Sequence, residues 1–355
     1  MSDKLNQLRA RIDALDIEIL TLMNERATTA HAIGKLKDDG TVYRPEREAQ
    51  VLRRLSDNNK GPLPGKVVMH LFTEIISACR ALENVFAVAS LGPKGTFSEE
   101  AAVKHFGGQS PLVLCTSIDE VFRSVECANV GYGIVPIENS TEGAIGRTLD
   151  LLLSTPLQIC GEVLLPVHQN LLSKGQDIAA VTRIFSHAQS LAQCNRWLAQ
   201  NCSRAERVPV TSNAEAARMA QCEPDSAAIA GRSAAAHYGL SVLANNIEDE
   251  PNNTTRFVVL SRQDVRPSGM DKTSLVMSTR NLPGAIHGLL TPLANNGVSM
   301  TRLESRPSRT GLWEYVFFLD MEGHQEEAHV ARALNEMRDL AAFLKILGSY
   351  PVAVQ

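Results

Sequence analysis

Hydrophobic residues near the start of the chain recur at alternating spacings of three and four. The positions are Leu5, Leu8, Ile12, Leu15, Ile19 and Leu22. This is the period of one face of an α-helix, and it predicts a helix from about Asp3 to Lys37. Arg26 falls on the same face, where a further apolar residue would be expected. A lone arginine there is often a packed stem with its charged end in solvent.

Two shorter helical patterns complete an all-α segment over residues 1–85. Pro45 suits the first position of the second helix, which carries Val51, Leu52 and Leu55. The third helix carries apolar residues at helical spacing from Val68 to Leu82. Residues 1–84 contain only four of the 23 glycines, so the composition changes at the end of this segment.

After residue 85, short apolar runs alternate with helical patterns. "VFAVASLG", "VGYGIVPI", "VTRIFS" and "TTRFVVLS" are examples of the runs, and helical patterns follow most of them. Alternating strands and helices predict an α/β domain over residues 86–265, long enough for two lobes with a cleft between them. Beyond the polar linker "RQDVRPSGMDK", residues 271–355 show the order βαββαβ, which is the ferredoxin-like plan.

Composition narrows the functional classes. A net charge of −4 over 355 residues argues against binding to nucleic acid or an anionic membrane. The first residues are too polar for a signal peptide, and the seven cysteines form no CxxC pair, so we expect reduced thiols in a cytoplasmic protein. The nine histidines show no metal-ligand spacing, and no metal is expected.

Further charged residues accompany Arg26 in the helical segment. Lys37 lies three turns along the same helix, Arg47 and Glu48 begin the second helix, and Arg9 flanks the apolar stripe. Buried cations need anionic partners, and arginines bind carboxylates through two parallel hydrogen bonds. The pattern therefore predicts a pocket for a small dianion.

The spacing of two of these arginines has a consequence for assembly. Arg9 and Arg26 are 17 residues apart, which is roughly 25 Å along one helix. If both serve one pocket, Arg9 must come from a second chain. We therefore predict an intertwined dimer.

The motifs "LRARIDALD", "LMNERATTAHAIGKLK", "YRPEREAQV" and "IISACRALE" resemble the all-helical class of chorismate mutase. The resemblance implies a pericyclic rearrangement of chorismate to prephenate. It places Arg9 of a second chain, Arg26 and Arg47 on carboxylates, with Arg44 and Cys79 lining the pocket.

The same resemblance assigns the remaining charged groups. Lys37 would donate to the ether oxygen, and Glu48 would accept from the ring hydroxyl. The family's second ether donor is often glutamine, and here the position is Glu83. A carboxyl group can donate only when protonated, so we expect mutase activity to fall as pH rises.

Polar residues cluster at the predicted strand ends of the middle segment. "PIENSTEG" puts Asn139, Ser140 and Thr141 at a predicted helix N-terminus, either as ordinary caps or as an anion site. "FSHAQSLAQC" and "NNTTRF" supply Ser186, His187, Gln193, Thr255 and Arg256. Strand ends that face a crevice are where α/β folds bind ligands.

With "GPKGTFS", these motifs resemble prephenate dehydratase in the same order. The resemblance implies two lobes like those of periplasmic binding proteins, and conversion of prephenate to phenylpyruvate with loss of carbon dioxide and the ring hydroxyl. Thr255 would be the essential hydroxyl, and the other residues named in these motifs would bind substrate. Ala188 stands where the family commonly has proline after the histidine. Neither reaction requires a cofactor, and none is expected.

"LPGAIHGLLTPLANNG" and "TRLESRP" resemble the ACT regulatory domain. The resemblance implies L-phenylalanine binding between domains of two subunits, at Gly284, Ala285 and Ile286 and at Glu304, Ser305 and Arg306. A βαββαβ domain with a purely structural role is the simpler alternative.

Together the three resemblances predict a bifunctional enzyme of phenylalanine synthesis, inhibited by its end product and at least dimeric. The alternative from another class is a non-catalytic two-lobed binding protein with an amino-acid sensor domain. A third possibility is an enzyme in which only one of the two activities remains.

Overall fold

The computed structural model describes residues 2–36, 41–279, 282–308 and 315–354. The N-terminal segment forms three helices, α1 (Ser2–Lys35), α2 (Pro45–Asn58) and α3 (Gly65–Ala81). Pro45 occupies the start of α2, as predicted, because its missing N–H has no helical partner to lose there. The predicted end of the first helix at Lys37 lies outside the described residues.

α1 is one continuous helix whose apolar stripe is largely uncovered. Leu8, Ile12 and Leu22 are 57%, 56% and 58% exposed. Only its C-terminal half contacts described residues elsewhere in the chain, through Arg26 and Gly34 against α3 and the residues after it. The chain alone therefore leaves a long apolar surface on this helix.

Strands and helices alternate through the middle of the chain, as the pattern predicts. In chain order they are β1 (Val88–Leu91), α4 (Phe97–Phe106), β2 (Leu112–Cys115), α5 (Ile118–Glu126), β3 (Tyr132–Asn139), β4 (Gly143–Ala144), α6 (Gly146–Ser154), β5 (Gln158–Pro166), β6 (Asn170–Ser173), a 3₁₀ turn (Ile178–Ala180), β7 (Arg183–His187), α7 (Ala188–Gln193), α8 (Asn195–Asn201), β8 (Glu206–Val210), α9 (Asn213–Cys222), β9 (Ser226–Ala230), α10 (Arg232–Tyr238), β10 (Ser241–Ala244) and β11 (Thr254–Ser261).

These elements form two sheets, one in each lobe. The first has the order β2-β1-β3-β11-β5 with β4 beside β3, and the second has the order β10-β6-β9-β7-β8. The chain crosses between lobes from β5 to β6 and returns from β10 to β11. Because β11 runs antiparallel to β3, the start of β11 lies beside the end of β3 in the first sheet.

The C-terminal segment is the predicted βαββαβ unit. Its elements are β12 (Asp271–Ser278), α11 (Ala285–Asn295), β13 (Met300–Pro307), β14 (Tyr315–Glu322), α12 (Ala328–Leu340) and β15 (Phe343–Pro351). The sheet order is β13-β14-β12-β15, all antiparallel, which is the ferredoxin-like arrangement.

This C-terminal sheet shares a hydrophobic core with the first lobe. Val276, Phe318 and Tyr350 are buried in the same cluster as Ile137 and Leu149. Lys345 of β15 also donates to the carbonyl oxygens of Leu152, Leu153 and Thr155, at 2.9, 3.2 and 2.6 Å. These are groups that the C-terminal end of α6 leaves unpaired, so the sheet caps that helix.

The helical segment is also bonded to the linker and to the C-terminal segment. Arg53 of α2 donates to the Ser268 hydroxyl at 3.0 Å and to the carbonyl oxygens of Met270 and Val352 at 2.8 and 3.1 Å.

Among the helices that the structure describes, none has the length and apolar character needed to span a lipid bilayer.

Candidate functional sites

The first site lies where α1, α2 and α3 meet. Arg26 Nη1 is 2.9 Å from the Sγ atom of Cys79 on α3. Glu83 packs against α1 at Gly34, where an added Cβ would lie 2.7 Å from Glu83 Oε2. Glu48 of α2 is close enough for the Arg26 charge to act on its ionisation. The structure thus brings together four of the side chains predicted from the sequence.

Arg80 of α3 belongs to this site and was missed by the sequence reasoning. Its Nη1 donates to Glu48 Oε1 at 2.7 Å, and its Nη2 donates to the Phe106 carbonyl oxygen at 2.5 Å. Only 5% of the side chain is exposed, and the guanidinium lies 5.0 Å from the Phe86 ring centroid. The signal was present, since Arg80 continues the i+4 row of Phe72 and Ile76.

Burial and neighbouring charge act against each other on Glu48. Burial raises the pKa of Glu48, while the Arg80 and Arg26 guanidinium groups lower it, and the net pKa is above its ordinary value. The carboxylate is therefore held in place by Arg80 but is protonated more easily than an exposed glutamate.

The other cations of this set lie further out. Arg47 is exposed and Arg44 is partly exposed at the start of α2. Arg9 is exposed near the opposite end of α1, roughly 25 Å from Arg26 by helix rise. One chain therefore does not bring Arg9 and Arg26 together. Lys37 lies outside the described residues.

The second site is built on the adjoining ends of β3 and β11. Asn139 faces Thr255 across the strand pair, and its Nδ2 donates to Thr255 Oγ1 and to Asn253 Oδ1, both at 2.8 Å. Asn139 Oδ1 accepts from the backbone N–H groups of Thr141 and Glu142 at 3.0 and 3.2 Å. Because backbone N–H groups can only donate, these two bonds fix the orientation of the amide.

The predicted helix N-terminus at Asn139–Thr141 is wrong. Asn139 ends β3, and a turn leads into β4, with α6 starting only at Gly146. The Asn139 carboxamide closes that turn by accepting the two N–H groups, which is the local preference of asparagine. Ser140 lies in the turn, and its hydroxyl accepts from the Thr254 N–H at 2.9 Å.

Gln193 connects the two lobes at this point. It ends α7 in the second lobe, and its Nε2 lies 3.4 Å from both Thr141 Oγ1 and Glu142 Oε1 in the first lobe. Its Oε1 accepts from Asn253 Nδ2 at 3.3 Å. Asn139, Thr141, Gln193 and Thr255 are thus joined by hydrogen bonds, and Asn253 is a further member that the sequence reasoning did not assign.

Ser186 and His187 belong to a neighbouring polar network in the second lobe. The buried Ser186 hydroxyl donates to Asn213 Oδ1 at 2.9 Å, and the His187 N–H donates to the same oxygen at 3.0 Å. The His187 ring is exposed and accepts from the Gln189 N–H at 3.4 Å as the cap of α7. No described hydrogen bond joins these two residues to Asn139 or Thr255.

The Arg256 guanidinium does not lie with the hydrogen-bonded group around Asn139 and Thr255. Its Nε donates to Glu162 Oε2 at 2.8 Å, its Nη1 to Asp320 Oδ2 at 2.5 Å and its Nη2 to the Tyr350 hydroxyl at 2.8 Å. Successive side chains of a strand point to opposite faces, so Arg256 points away from the face of Thr255 and toward the C-terminal sheet.

A cavity of about 460 Å³ opens between the two lobes near the adjoining ends of β3 and β11. Pro166, which pairs with Thr254 in the sheet, lies in its wall. The full lining is Phe97, Glu100, Pro166, His168, Asn170, Arg232, Asn245 and Asn246. Its size is typical of a small-molecule site, and Arg232 supplies a positive charge.

The predicted effector residues lie on two elements of the C-terminal sheet domain. Gly284 adopts a left-handed conformation with φ 76° as the cap of α11, which Ala285 and Ile286 begin. Glu304, Ser305 and Arg306 lie on the edge strand β13. Arg306 Nη2 forms an ion pair with Asp150 of α6 at 3.1 Å.

Comparison with known proteins gives matches to three family models. Residues 8–84 match chorismate mutase type II, residues 88–265 match prephenate dehydratase, and residues 273–339 match the ACT domain. The chain is similar to a prephenate dehydratase from Arthrobacter aurescens solved in complex with L-Phe, with 34% identity and a TM-score of 0.70. That match covers 75% of this chain and 90% of the other.

The chain is also similar to GqqA, described as a novel type of quorum quenching acylase. The identity is 31% and the TM-score 0.70, covering 75% of this chain and 98% of the other. Over its whole length, the chain is 53% identical to the bifunctional chorismate mutase/prephenate dehydratase of Neisseria gonorrhoeae, with 100% of both chains covered. The chain therefore belongs to the bifunctional chorismate mutase/prephenate dehydratase family.

Proposed function

We propose that the helical domain converts chorismate to prephenate and that the two-lobed domain converts prephenate to phenylpyruvate in phenylalanine synthesis. The observation that carries this is the presence of both polar sites in one chain, the Arg26–Glu48–Glu83 group and the Asn139–Thr255 pair. A non-catalytic binding protein would need neither a cationic pocket among helices nor full-length identity to bifunctional enzymes.

The rearrangement of chorismate needs no covalent intermediate. The site must hold a dicarboxylate in a compact conformer and stabilise charge on the breaking ether bond. Arg26 and Arg47 supply carboxylate contacts, Arg44 lines the pocket, and Glu48 accepts a hydrogen bond from the ring hydroxyl. Glu83 and Lys37 donate to the ether oxygen. The Arg80 contact supports the role of Glu48, because it fixes one carboxylate oxygen and favours the ionised form.

The mutase site is completed by a second copy of the chain. Two α1 helices packed antiparallel would cover the exposed stripe of Leu8, Ile12 and Leu22, and would bring Arg9 of one chain to Arg26 of the other. The exposed apolar stripe and the distance between Arg9 and Arg26 support this arrangement.

Loss of the prephenate hydroxyl is assisted by Thr255. Its oxygen accepts from Asn139 Nδ2, so its own O–H is oriented to donate a hydrogen bond to the hydroxyl that leaves, and it stays protonated. Carbon dioxide departs as the ring carbon–oxygen bond breaks, the electron pair of the carboxylate bond enters the ring, and aromatisation supplies the driving force. Gln193 and Thr141 close the site between the lobes, and the cavity beside Pro166 accommodates the substrate, with Arg232 as a partner for a carboxylate.

L-Phenylalanine acts as feedback inhibitor at the ACT domain, with Gly284–Ile286 and Glu304–Arg306 as its contacts. The relative from Arthrobacter aurescens, solved in complex with L-Phe, supports this proposal. A plain structural role for the domain would leave the reaction rate independent of phenylalanine.

One assay tests the whole proposal. Chorismate is added to the full-length protein, and prephenate and phenylpyruvate are followed with and without phenylalanine. We expect both products in sequence, and slower phenylpyruvate formation when phenylalanine is present. Absence of both products would refute the enzymatic function, and release of prephenate alone would leave a mutase without a live dehydratase.

A further inference from the structure

The two residues that meet in the dehydratase site each have a neighbour on the opposite face of the sheet. Asn139 pairs with Thr255 in the strand register, and the preceding residue Glu138 pairs with the following residue Arg256. Side chains alternate between faces along a strand. Glu138 and Arg256 therefore face the ACT domain from positions directly beside the catalytic pair.

The Arg256 side chain is bonded to the ACT sheet. Its guanidinium contacts Asp320 of β14 and Tyr350 of β15, and Ser274 of β12 donates to the second Asp320 oxygen at 2.5 Å. Burial alone would raise the pKa of Asp320, but the Arg256 guanidinium and the Ser274 hydroxyl outweigh it and hold that pKa below its ordinary value. The pair is therefore ionised, buried and directional.

Glu138 forms an ion pair with an arginine of the ACT domain. Arg302 Nε lies 2.9 Å from Glu138 Oε2. Arg302 is on β13, two residues before Glu304, at which the proposed effector contacts begin. Arg256 Nη1 is also 4.0 Å from Glu138 Oε2, so the two links share one carboxylate.

We propose that Arg256 and Arg302 are positioning residues that carry the state of the ACT domain to Thr255 and Asn139. The Arg256–Asp320 ion pair is buried and resists separation, because a charge left without its partner in the protein interior is strongly destabilising. When β13 and β14 shift, the backbone of β3 and β11 therefore follows. The Asn139–Thr255 hydrogen bond lies one residue away and is strained by that movement. This inference rests on the proposed inhibition by phenylalanine.

The test uses the full-length protein and measures dehydratase kcat and KM, the inhibition curve and the Kd of L-phenylalanine by calorimetry. The variants are Arg302→Gln, Glu138→Gln and the double variant. We expect maximal inhibition to weaken at least threefold in each single variant, with the Kd within twofold of wild type. The double variant should be no worse than Glu138→Gln alone, since that change already removes both contacts of the Glu138 carboxylate.

Two further variants separate positioning from folding. Arg338→Gln removes an exposed arginine of α12 that bonds within its own helix, and it should leave inhibition unchanged. Arg256→Lys keeps a charge for the carboxylates but loses the forked geometry. It should lower dehydratase kcat about tenfold with KM within twofold, and leave mutase activity unchanged.

Three outcomes would overturn the inference. Normal inhibition of Arg302→Gln with a wild-type Kd would show that the Arg302–Glu138 pair does not transmit the inhibition. The proposed regulation by phenylalanine would still stand. Loss of L-phenylalanine binding in the same folded variant would make Arg302 part of the effector site instead. A wild-type enzyme that neither binds nor responds to phenylalanine would refute both the regulation and this inference.

Discussion

Arg80 and Glu48 form an ion pair at 2.7 Å that links the helical domain to the dehydratase domain, because the same guanidinium also donates to the Phe106 carbonyl oxygen. Phe106 is the last residue of α4. The ionisation of a mutase residue thus depends on a side chain anchored in the next domain.

Arg80→Met should move the acid limb of mutase activity to higher pH. The pKa of Glu48 is already raised by burial, and the Arg80 charge opposes that rise. Glu48 accepts a hydrogen bond more strongly when it is ionised, so activity rises with pH through its pKa. Each further unit of upward shift lowers the ionised fraction about tenfold below that pKa. The measurement is mutase kcat/KM from pH 4.5 to 8.

The control is Arg54→Met, which removes an exposed arginine of α2 and should leave the profile in place. A uniform loss of activity in Arg80→Met, with an unmoved acid limb, would reduce Arg80 to a structural role.

Gly34→Ala should impair the mutase without destabilising the helix. Gly34 lies in the last turn of α1, and alanine has a higher helix propensity than glycine, but the new Cβ would displace the Glu83 carboxylate from α1. We expect a mutase kcat at least tenfold lower, with an unchanged or higher melting temperature. Unaltered kcat would mean that Glu83 need not lie against α1.

Mixing two inactive variants should restore mutase activity. In a dimer of Arg9→Ala with Arg26→Ala, one site keeps both arginines and the other lacks both. Random mixing of subunits should therefore recover about one quarter of wild-type activity. Each variant alone should stay inactive, and the measurement is the mutase rate after unfolding and refolding the mixture. No recovery, with mixed dimers verified by mass spectrometry, would place Arg9 outside the partner's site.

Thr255→Val should abolish the dehydratase and spare the mutase. Valine keeps the shape of the side chain but removes the hydroxyl that Asn139 orients. The adjacent variant Thr254→Val is the matched control, and it should retain dehydratase activity. Phenylpyruvate formation from prephenate by Thr255→Val at the wild-type rate would refute the role of this hydroxyl.

The sequence predicted the elements of the fold well, because each depends on local periodicity. The Asn139–Thr255 contact joins residues 116 positions apart, and only the motifs at the strand ends indicated it. The direction of Arg256 was not predictable from its triplet, since it depends on which face of β11 the ACT sheet covers. Arg80 was missed because its two partners, Glu48 and the Phe106 carbonyl, come from different domains.

The shared core limits where this chain can be divided. Its members include Val276, Phe318, Tyr350, Ile137 and Leu149. Three families can be recognised side by side in the sequence, yet the boundary between the last two does not coincide with a boundary between cores. Cutting the gene after residue 265 would expose the apolar face of the first lobe and leave the end of α6 uncapped. Such a fragment should aggregate rather than act as a deregulated enzyme, so the last two domains have to be produced as one unit.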